Sequence, residues 1–188
     1  MGDSVPKREG IAMGAFLLIR KPKNVEVEEI EGTYRDSIAV FHKKGLPLNE
    51  RIVTNDFVIY VFHKHKFQVD NTLLLDDGEF IISTGTCIYD RKIGCDALRK
   101  LYRDFSEKGE FLSNVFGQYC LIVSKEGSLY LLNDYTGLYH VYSNHSRSVI
   151  SSSFLAVFLQ ETFFKTLLFF ICHHQLDIVV SIISIHVC

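Results

Sequence analysis

The chain lacks a surplus of charge of either sign. Its 188 residues carry 20 lysines and arginines against 22 aspartates and glutamates, for a net charge of -2. A broad basic surface is what attracts nucleic acid and anionic membranes, and this balance provides none. We therefore expect no nucleic-acid partner and no membrane partner.

The sequence also lacks the residue spacings of metal, redox and phosphate sites. The five cysteines are irregularly spaced without a C-x-x-C pair, so reduced and mostly buried thiols are expected. His63 with His65, and His173 with His174, lack an evident third metal ligand. No glycine-rich phosphate loop is present. The polar start MGDSVPKREG precedes only a short apolar run, which is unlike a secretory signal and predicts a cytoplasmic location.

Residues 161–188 are strongly apolar but contain no apolar run of the roughly 20 residues that a membrane span requires. Glu161, Lys165 or the group from His173 to Asp177 would have to enter the bilayer, and a central charge costs about 2.5 to 3.5 kcal/mol. We expect this tail to be a truncated or frame-shifted segment that is foreign to the fold. The alternatives are that it docks on the domain or on a partner, or that it associates with a membrane.

The whole chain is rich in core-forming residues. It has 47% apolar and 13% aromatic residues, which is typical of a protein with one globular core. Apolar and β-branched runs predict successive strands, and Asp77-Gly78 predicts a tight hairpin turn because both residues tolerate positive φ. The strands predicted in this half are Ala15–Ile19, Ser37–His42, Asp56–His63 and Glu79–Ile88.

An amphipathic helix is predicted next, because Leu98, Leu101 and Phe105 recur at helical spacing. Asp96 is expected to cap its start and Gly109 to end it. Four further strands are predicted, at Gln118–Val123, Ser128–Leu132, Tyr139–Ser143 and Val149–Ser152. A last helix is predicted to begin after Ser153. The order of elements predicts an α+β domain of antiparallel sheets layered with helices.

The segment from about residue 81 to residue 160 resembles the amino-terminal glutaminase domain of the asparagine synthetase family, a class II glutamine amidotransferase. The resemblance is carried by the Leu112–Tyr119 hairpin, by Asp134, Gly137 and Tyr142, and by the helix start at Ser152. Residues 1–160 would then form an αββα sandwich like that of N-terminal-nucleophile hydrolases. In the turn, Asp134 is expected to accept from backbone amides and Gly137 to take positive φ.

The resemblance implies glutamine hydrolysis by an amino-terminal cysteine whose own amine serves as base. It also implies ATP and Mg²⁺ in a second, synthetase domain, whose phosphate loop is absent here, so no cofactor is expected in this chain. Removal of Met1 would expose Gly2, and no cysteine precedes Cys87. Arg51, the nearest candidate to bind a glutamine carboxylate, is more simply a solvated loop charge.

Two further family elements are altered. Thr84-Gly85 stands where the family has the Asn-Gly of the oxyanion hole, which stabilises developing negative charge. Gly94-Cys95-Asp96 stands where the family has an Asp-Thr-Glu stretch. The sequence thus predicts a non-catalytic or vestigial domain with a scaffold or interaction role, whose partner is a synthetase domain or a homologous chain.

An enzymatic alternative stays open at this point. Gly32-Thr33 is the kind of junction at which N-terminal-nucleophile hydrolases cleave themselves, and cleavage would make Thr33 the nucleophile of an active amidohydrolase. The simpler interpretation of EGTYRDS is a turn before a strand. Cys87 and Cys120 lie in apolar strands and are expected to be packed thiols rather than nucleophiles.

Overall fold

Two five-stranded antiparallel sheets form the centre of the computed structural model, which describes residues 14–63, 70–106, 109–160 and the backbone of 183–185. The first sheet has the spatial order β10 (Tyr142–Ser143), β11 (Val149–Ser151), β1 (Ala15–Arg20), β3 (Phe57–Phe62) and β2 (Leu48–Val53). The second has the order β12 (Ile183–Ile185), β9 (Ser128–Asn133), β8 (Tyr119–Lys125), β5 (Phe80–Gly85) and β4 (Thr72–Leu74). A small ribbon pairs β6 (Ile88–Tyr89) with β7 (Val115–Phe116).

Helices cover the outer face of each sheet. The first sheet carries α1 (Val27–Thr33), α2 (Arg35–Lys43) and α4 (Phe154–Phe158), and the second carries α3 (Gly94–Asp104). Two short 3₁₀ turns lie at Asp76–Gly78 and Glu110–Asn114. The predicted α+β class with antiparallel sheets and helical layers is confirmed.

Alternation along the strands explains why both faces of each sheet are covered. In β1, Phe16 and Leu18 pack between the two sheets, whereas Leu17 and Ile19 pack against the helices. Every residue of β3 is buried. Apolar residues on both faces of a strand require a layer on each side, and the helix–sheet–sheet–helix order supplies them.

The predicted strand Ser37–His42 is wrong, because this segment belongs to helix α2. Ser37, Val40 and Phe41 are its buried residues, at positions i, i+3 and i+4. The Ser37 hydroxyl donates to the Ala156 carbonyl at 2.7 Å, which fixes α2 against α4. The expected turn before this strand is also wrong, since EGTYRDS spans the end of α1 and the start of α2.

The turn predicted at Asp77-Gly78 is confirmed, with φ values of 64° and 77° at the two residues. It joins β4 to β5, and β4 was missed by the sequence. The sequence predicted that this turn links the strands Asp56–His63 and Glu79–Ile88, which is wrong because β3 and β5 lie in different sheets. Helix α3 is also confirmed, but Asp96 lies inside it and no side chain caps its start at Ile93. Gly109 has a positive φ but lies beyond the helix, which ends at Asp104.

The predicted pair of strands around Lys125-Glu126-Gly127 is confirmed as β8 and β9. Most of the 161–188 tail, and with it the prediction that the tail is foreign to the fold, lies outside the described residues. The described part of the tail is Ile183–Ile185, which pairs antiparallel with Leu129–Leu131 at the edge of the second sheet. Within the described ranges, no helix combines the length and the apolar character needed to cross a bilayer.

Candidate functional site

The start of β1 lies beside the end of β5, which brings Gly14 close to the predicted Thr84-Gly85 pair. A Cβ placed on Gly14 would lie 3.8 Å from the amide nitrogen of Gly85. The Thr84 side chain is buried, and its hydroxyl donates to the Cys120 carbonyl at 3.4 Å. The start of β1 therefore lies against the Thr84-Gly85 pair that the sequence predicted to be oxyanion-hole-like.

Glycine is required at Gly85 because the chain crosses itself there. Gly85 has a φ of 95°, and a Cβ at this position would lie 2.2 Å from the Gln118 carbonyl oxygen. Gly117, with a φ of 118°, would place a Cβ 2.0 Å from the Thr86 oxygen. A backbone hydrogen bond of 2.7 Å from Thr86 to Gln118 holds the two loops together. The two glycines thus permit a backbone contact that side chains would prevent.

Asp134 organises the loop that closes this end of the sandwich. Its carboxylate is 2% exposed and accepts from the backbone amides of Thr136, Leu138 and Tyr139, at 3.1, 3.1 and 2.8 Å. Gly137 takes a φ of 65° and its amide donates to the Asp134 carbonyl at 3.0 Å. Burial favours a higher pKa for Asp134, but the hydrogen bonds from Thr136 and the amides outweigh it and lower the pKa below its usual value.

Tyr139 connects this loop to the start of β1. Its hydroxyl donates to the Gly14 carbonyl at 2.9 Å, and its ring lies 3.0 Å from where a Cβ of Gly85 would stand. Burial raises the pKa of Tyr139 well above its usual value, so the phenol stays neutral and acts as a donor. The sequence placed Tyr139 in a strand but contained no sign of this contact across 125 residues.

Ser152 extends the pairing of β1 with β11 on the same side. Its amide donates to the Phe16 carbonyl at 3.2 Å, and its side-chain oxygen accepts from the Phe16 amide at 3.0 Å. Ser151 adds a hydroxyl bond of 2.8 Å to the same carbonyl. These serines fix the position of β1, and the contacts described for them are structural.

The other predicted residues lie elsewhere. Tyr142 packs its ring against Phe154 on the helical side of the first sheet, with ring centroids 5.8 Å apart. Thr33 is the last residue of α1, and its hydroxyl donates to the Glu29 carbonyl at 3.0 Å. Arg51 lies in strand β2 rather than in the predicted loop, and forms an exposed ion pair with Glu31 at 2.6 Å.

Cys87 and Cys120 are packed, protonated thiols, as the sequence indicated. Cys87 is buried, and burial raises its pKa to about 11. Cys120 is fully buried, and its pKa is raised further for the same reason. Both thiols are protonated at neutral pH, which disfavours them as nucleophiles. In the part of the chain that the structure describes, no three potential metal ligands form a cluster.

Comparison of the sequence with models of known protein families gives no match, and curated proteins give none either. The resemblance to glutaminase domains therefore depends on the sequence motifs alone. A proposed function has to be consistent with the contacts among Gly14, Gly85 and Tyr139.

Proposed function

We propose that the chain is a non-catalytic, glutaminase-like domain of the kind that precedes the synthetase domain in asparagine synthetases, with an αββα sandwich like that of N-terminal-nucleophile hydrolases. Its role is that of a scaffold or interaction module in the cytoplasm. The observation that carries the proposal is the start of β1. The residue there that faces Thr84-Gly85 is Gly14, and its carbonyl is bonded to the buried hydroxyl of Tyr139.

The chemistry of the parent class explains why Gly14 matters. Such enzymes need a nucleophilic side chain and a free α-amine on the same residue at the start of this strand. Gly14 has no side chain, and its nitrogen is in a peptide bond with Met13. The Thr84 hydroxyl, which donates to the Cys120 carbonyl, contributes to packing.

An exposed apolar patch on α4 supports the interaction role. Phe154, Leu155 and Leu159 are 40%, 47% and 45% exposed, and Leu155 and Leu159 line one surface depression between α2 and α4. Exposed apolar surface of this kind is found at sites of protein contact. The partner we propose is a synthetase domain or a homologous chain, which would supply the ATP and Mg²⁺ chemistry that this chain is not expected to perform.

The test is glutamine hydrolysis by the purified full-length chain. Glutamate is measured by NMR over a range of glutamine concentrations, with heat-denatured chain as the blank. We expect no release above the blank. Saturable release would contradict the proposal, and the variant Thr33→Ala would then identify its source. Loss of release in that variant, with Thr33 found as a new amino terminus by mass spectrometry, would establish the amidohydrolase alternative.

A further inference from the structure

A cleft of about 500 Å³ lies on the outer side of the first sheet, between helices α1 and α2 and the edge strand β2. We call it the outer cleft, and it is lined by Glu28, Glu31, Gly32, Arg35, Ile38, Ala39, His42, Leu48 and Tyr60. Tyr60 packs in the core cluster on the helical side of the sheet, whereas Thr84 and Gly85 belong to the second sheet. The outer cleft is therefore separate from the place where Gly14 lies beside Thr84 and Gly85. Its volume is in the usual range of small-molecule sites.

The base of the outer cleft holds a buried polar group without a partner. Tyr60 is 1% exposed, and among the described residues its hydroxyl makes no hydrogen bond of normal length and angle. Burial raises the pKa of Tyr60, and the nearby Glu31 carboxylate raises it further, so the hydroxyl is a neutral donor beside that carboxylate. Buried hydroxyls without a well-formed hydrogen bond are uncommon and call for an explanation. Ser83 is the only other buried side chain in this state in the described ranges, and it does not line the outer cleft.

The walls of the outer cleft carry charges of both signs on different helices. Glu28 and Glu31 come from α1, and Arg35 comes from α2. Ile38, Ala39 and Leu48 supply an apolar surface beside them. A ligand that matches this lining has an ammonium group, an anionic group and an apolar body.

One of the cleft carboxylates, that of Glu31, already forms an ion pair. Arg51 lies opposite Tyr60 in the β2–β3 register and its guanidinium binds Glu31 at 2.6 Å. The two side chains are 43% and 38% exposed. An ion pair this exposed contributes little to stability, so a ligand ammonium can replace the guanidinium at little cost.

We propose that the outer cleft binds a small zwitterion with an apolar body, of which a free apolar amino acid is the simplest case. Its ammonium lies at Glu28 and Glu31, and its carboxylate lies at Arg35. Tyr60 gains the hydrogen-bond partner that it lacks, and the apolar body covers Ile38 and Leu48. The proposal is independent of the function proposed above and neither requires nor excludes glutamine hydrolysis.

The test uses three probes with one carbon skeleton: L-leucine, 3-methylbutylamine and 4-methylpentanoate. Each is titrated into the ¹⁵N-labelled full-length chain while amide resonances of α1 and α2 are followed. We expect saturable shifts with leucine and at least tenfold weaker binding of both analogues, since each lacks one charge-assisted contact worth about 1.5 to 3 kcal/mol. The absence of saturable shifts with leucine, or equal affinity for the three probes, would overturn the proposal.

Two variants separate binding in the outer cleft from binding elsewhere. A side chain at Gly32 would meet no other atom within 4 Å of its Cβ, so Gly32→Leu fills the cleft without displacing the fold. It should abolish leucine binding while Tyr60→Phe weakens it about fivefold or more, as expected for one hydrogen bond of about 1 kcal/mol or more. Glu29→Gln, on the same helix but outside the lining, is the matched control and should bind as the parent does. Unchanged binding by Gly32→Leu would refute the site.

Discussion

Replacing Asp134 with asparagine tests whether one carboxylate holds the 134–139 loop in place. In the parent chain, Oδ1 of Asp134 accepts from the amides of Thr136 and Leu138, and Oδ2 accepts from the Tyr139 amide at 2.8 Å. Asparagine keeps the first oxygen but places an NH₂ group against the Tyr139 amide. Because Tyr139 is buried, its unpaired amide should lower the free energy of unfolding by about 1 to 3 kcal/mol.

Alanine at the same position should cost more. It removes both acceptor oxygens and leaves the Tyr139 amide without a partner, together with the loss of the bonds to Thr136 and Leu138. Leu138 is 53% exposed, so water can satisfy its amide. We expect Asp134→Ala to lower the free energy of unfolding by about 3 to 5 kcal/mol, which is the range of a broken buried network.

The pH dependence gives a second, independent readout. The folded-state pKa of Asp134 is lowered, so its contribution is complete above the unfolded-state pKa of about 3.9 and decreases as the pH falls toward the folded-state pKa. Asparagine does not titrate. The stability difference between the parent and Asp134→Asn should therefore be largest near neutrality and narrow below about pH 4.

The measurement is urea unfolding followed by circular dichroism, from pH 7 to the lowest pH at which the parent is folded. Asp90→Asn is the matched control, because Asp90 is a surface carboxylate bound to Lys100 at 2.5 Å, and it should change stability little. Parent-like stability of Asp134→Asn at pH 7 would refute the role given to the carboxylate. A stability gap that stays constant under acid would refute the lowered pKa.

Two glycine substitutions should shift stability in opposite directions in the same unfolding assay. Gly32→Ala should raise the free energy of unfolding by about 0.5 to 1 kcal/mol, because Gly32 lies in α1 with open space around its Cβ. Gly85→Ala should lower it by about 2 to 4 kcal/mol, through strain at positive φ and overlap with the Gln118 oxygen. Gly127→Ala controls for strain alone, since its φ is 75° with nothing within 4 Å, and a cost equal to that of Gly85→Ala would contradict the overlap.

Local patterns were sufficient for the elements whose periodicity is strong. Helix α3 and strands β8 and β9 follow from the spacing of apolar residues, and the Asp77-Gly78 turn follows from the tolerance of both residues for positive φ. Helix α2 did not follow, because Ile38, Ala39, Val40 and Phe41 form one short continuous apolar run, which periodicity alone cannot distinguish from a buried strand. The sequence contains no indication that Ser37 is buried against α4, which is a contact across 119 residues.

In the candidate sites, too, local contacts could be predicted from the sequence, whereas contacts between distant residues could not. The bond from the Thr136 amide to Asp134 was expected from the Asx-turn chemistry of the sequence, and it is present. The contact of Tyr139 with Gly14 depends on how the two sheets are stacked, which no local rule provides. Tyr60 was predicted as part of a strand, but the lack of a partner for its hydroxyl depends on α1, α2 and β2 together. Sequence patterns predict the helices and strands. Which buried polar groups of a site find hydrogen-bond partners depends on how those elements pack together.

The 134–139 loop and the outer cleft differ in how far their buried polar groups are hydrogen-bonded, and the difference favours different roles for them. In and around the loop, Asp134, Tyr139 and Ser152 all have hydrogen-bond partners within the chain. A ligand there would have to replace bonds that are already formed. In the outer cleft the Tyr60 hydroxyl has no such hydrogen bond, and a ligand would gain one there while its ammonium replaces the exposed Arg51–Glu31 ion pair. This difference is why we place the proposed small-molecule site in the outer cleft rather than at the 134–139 loop.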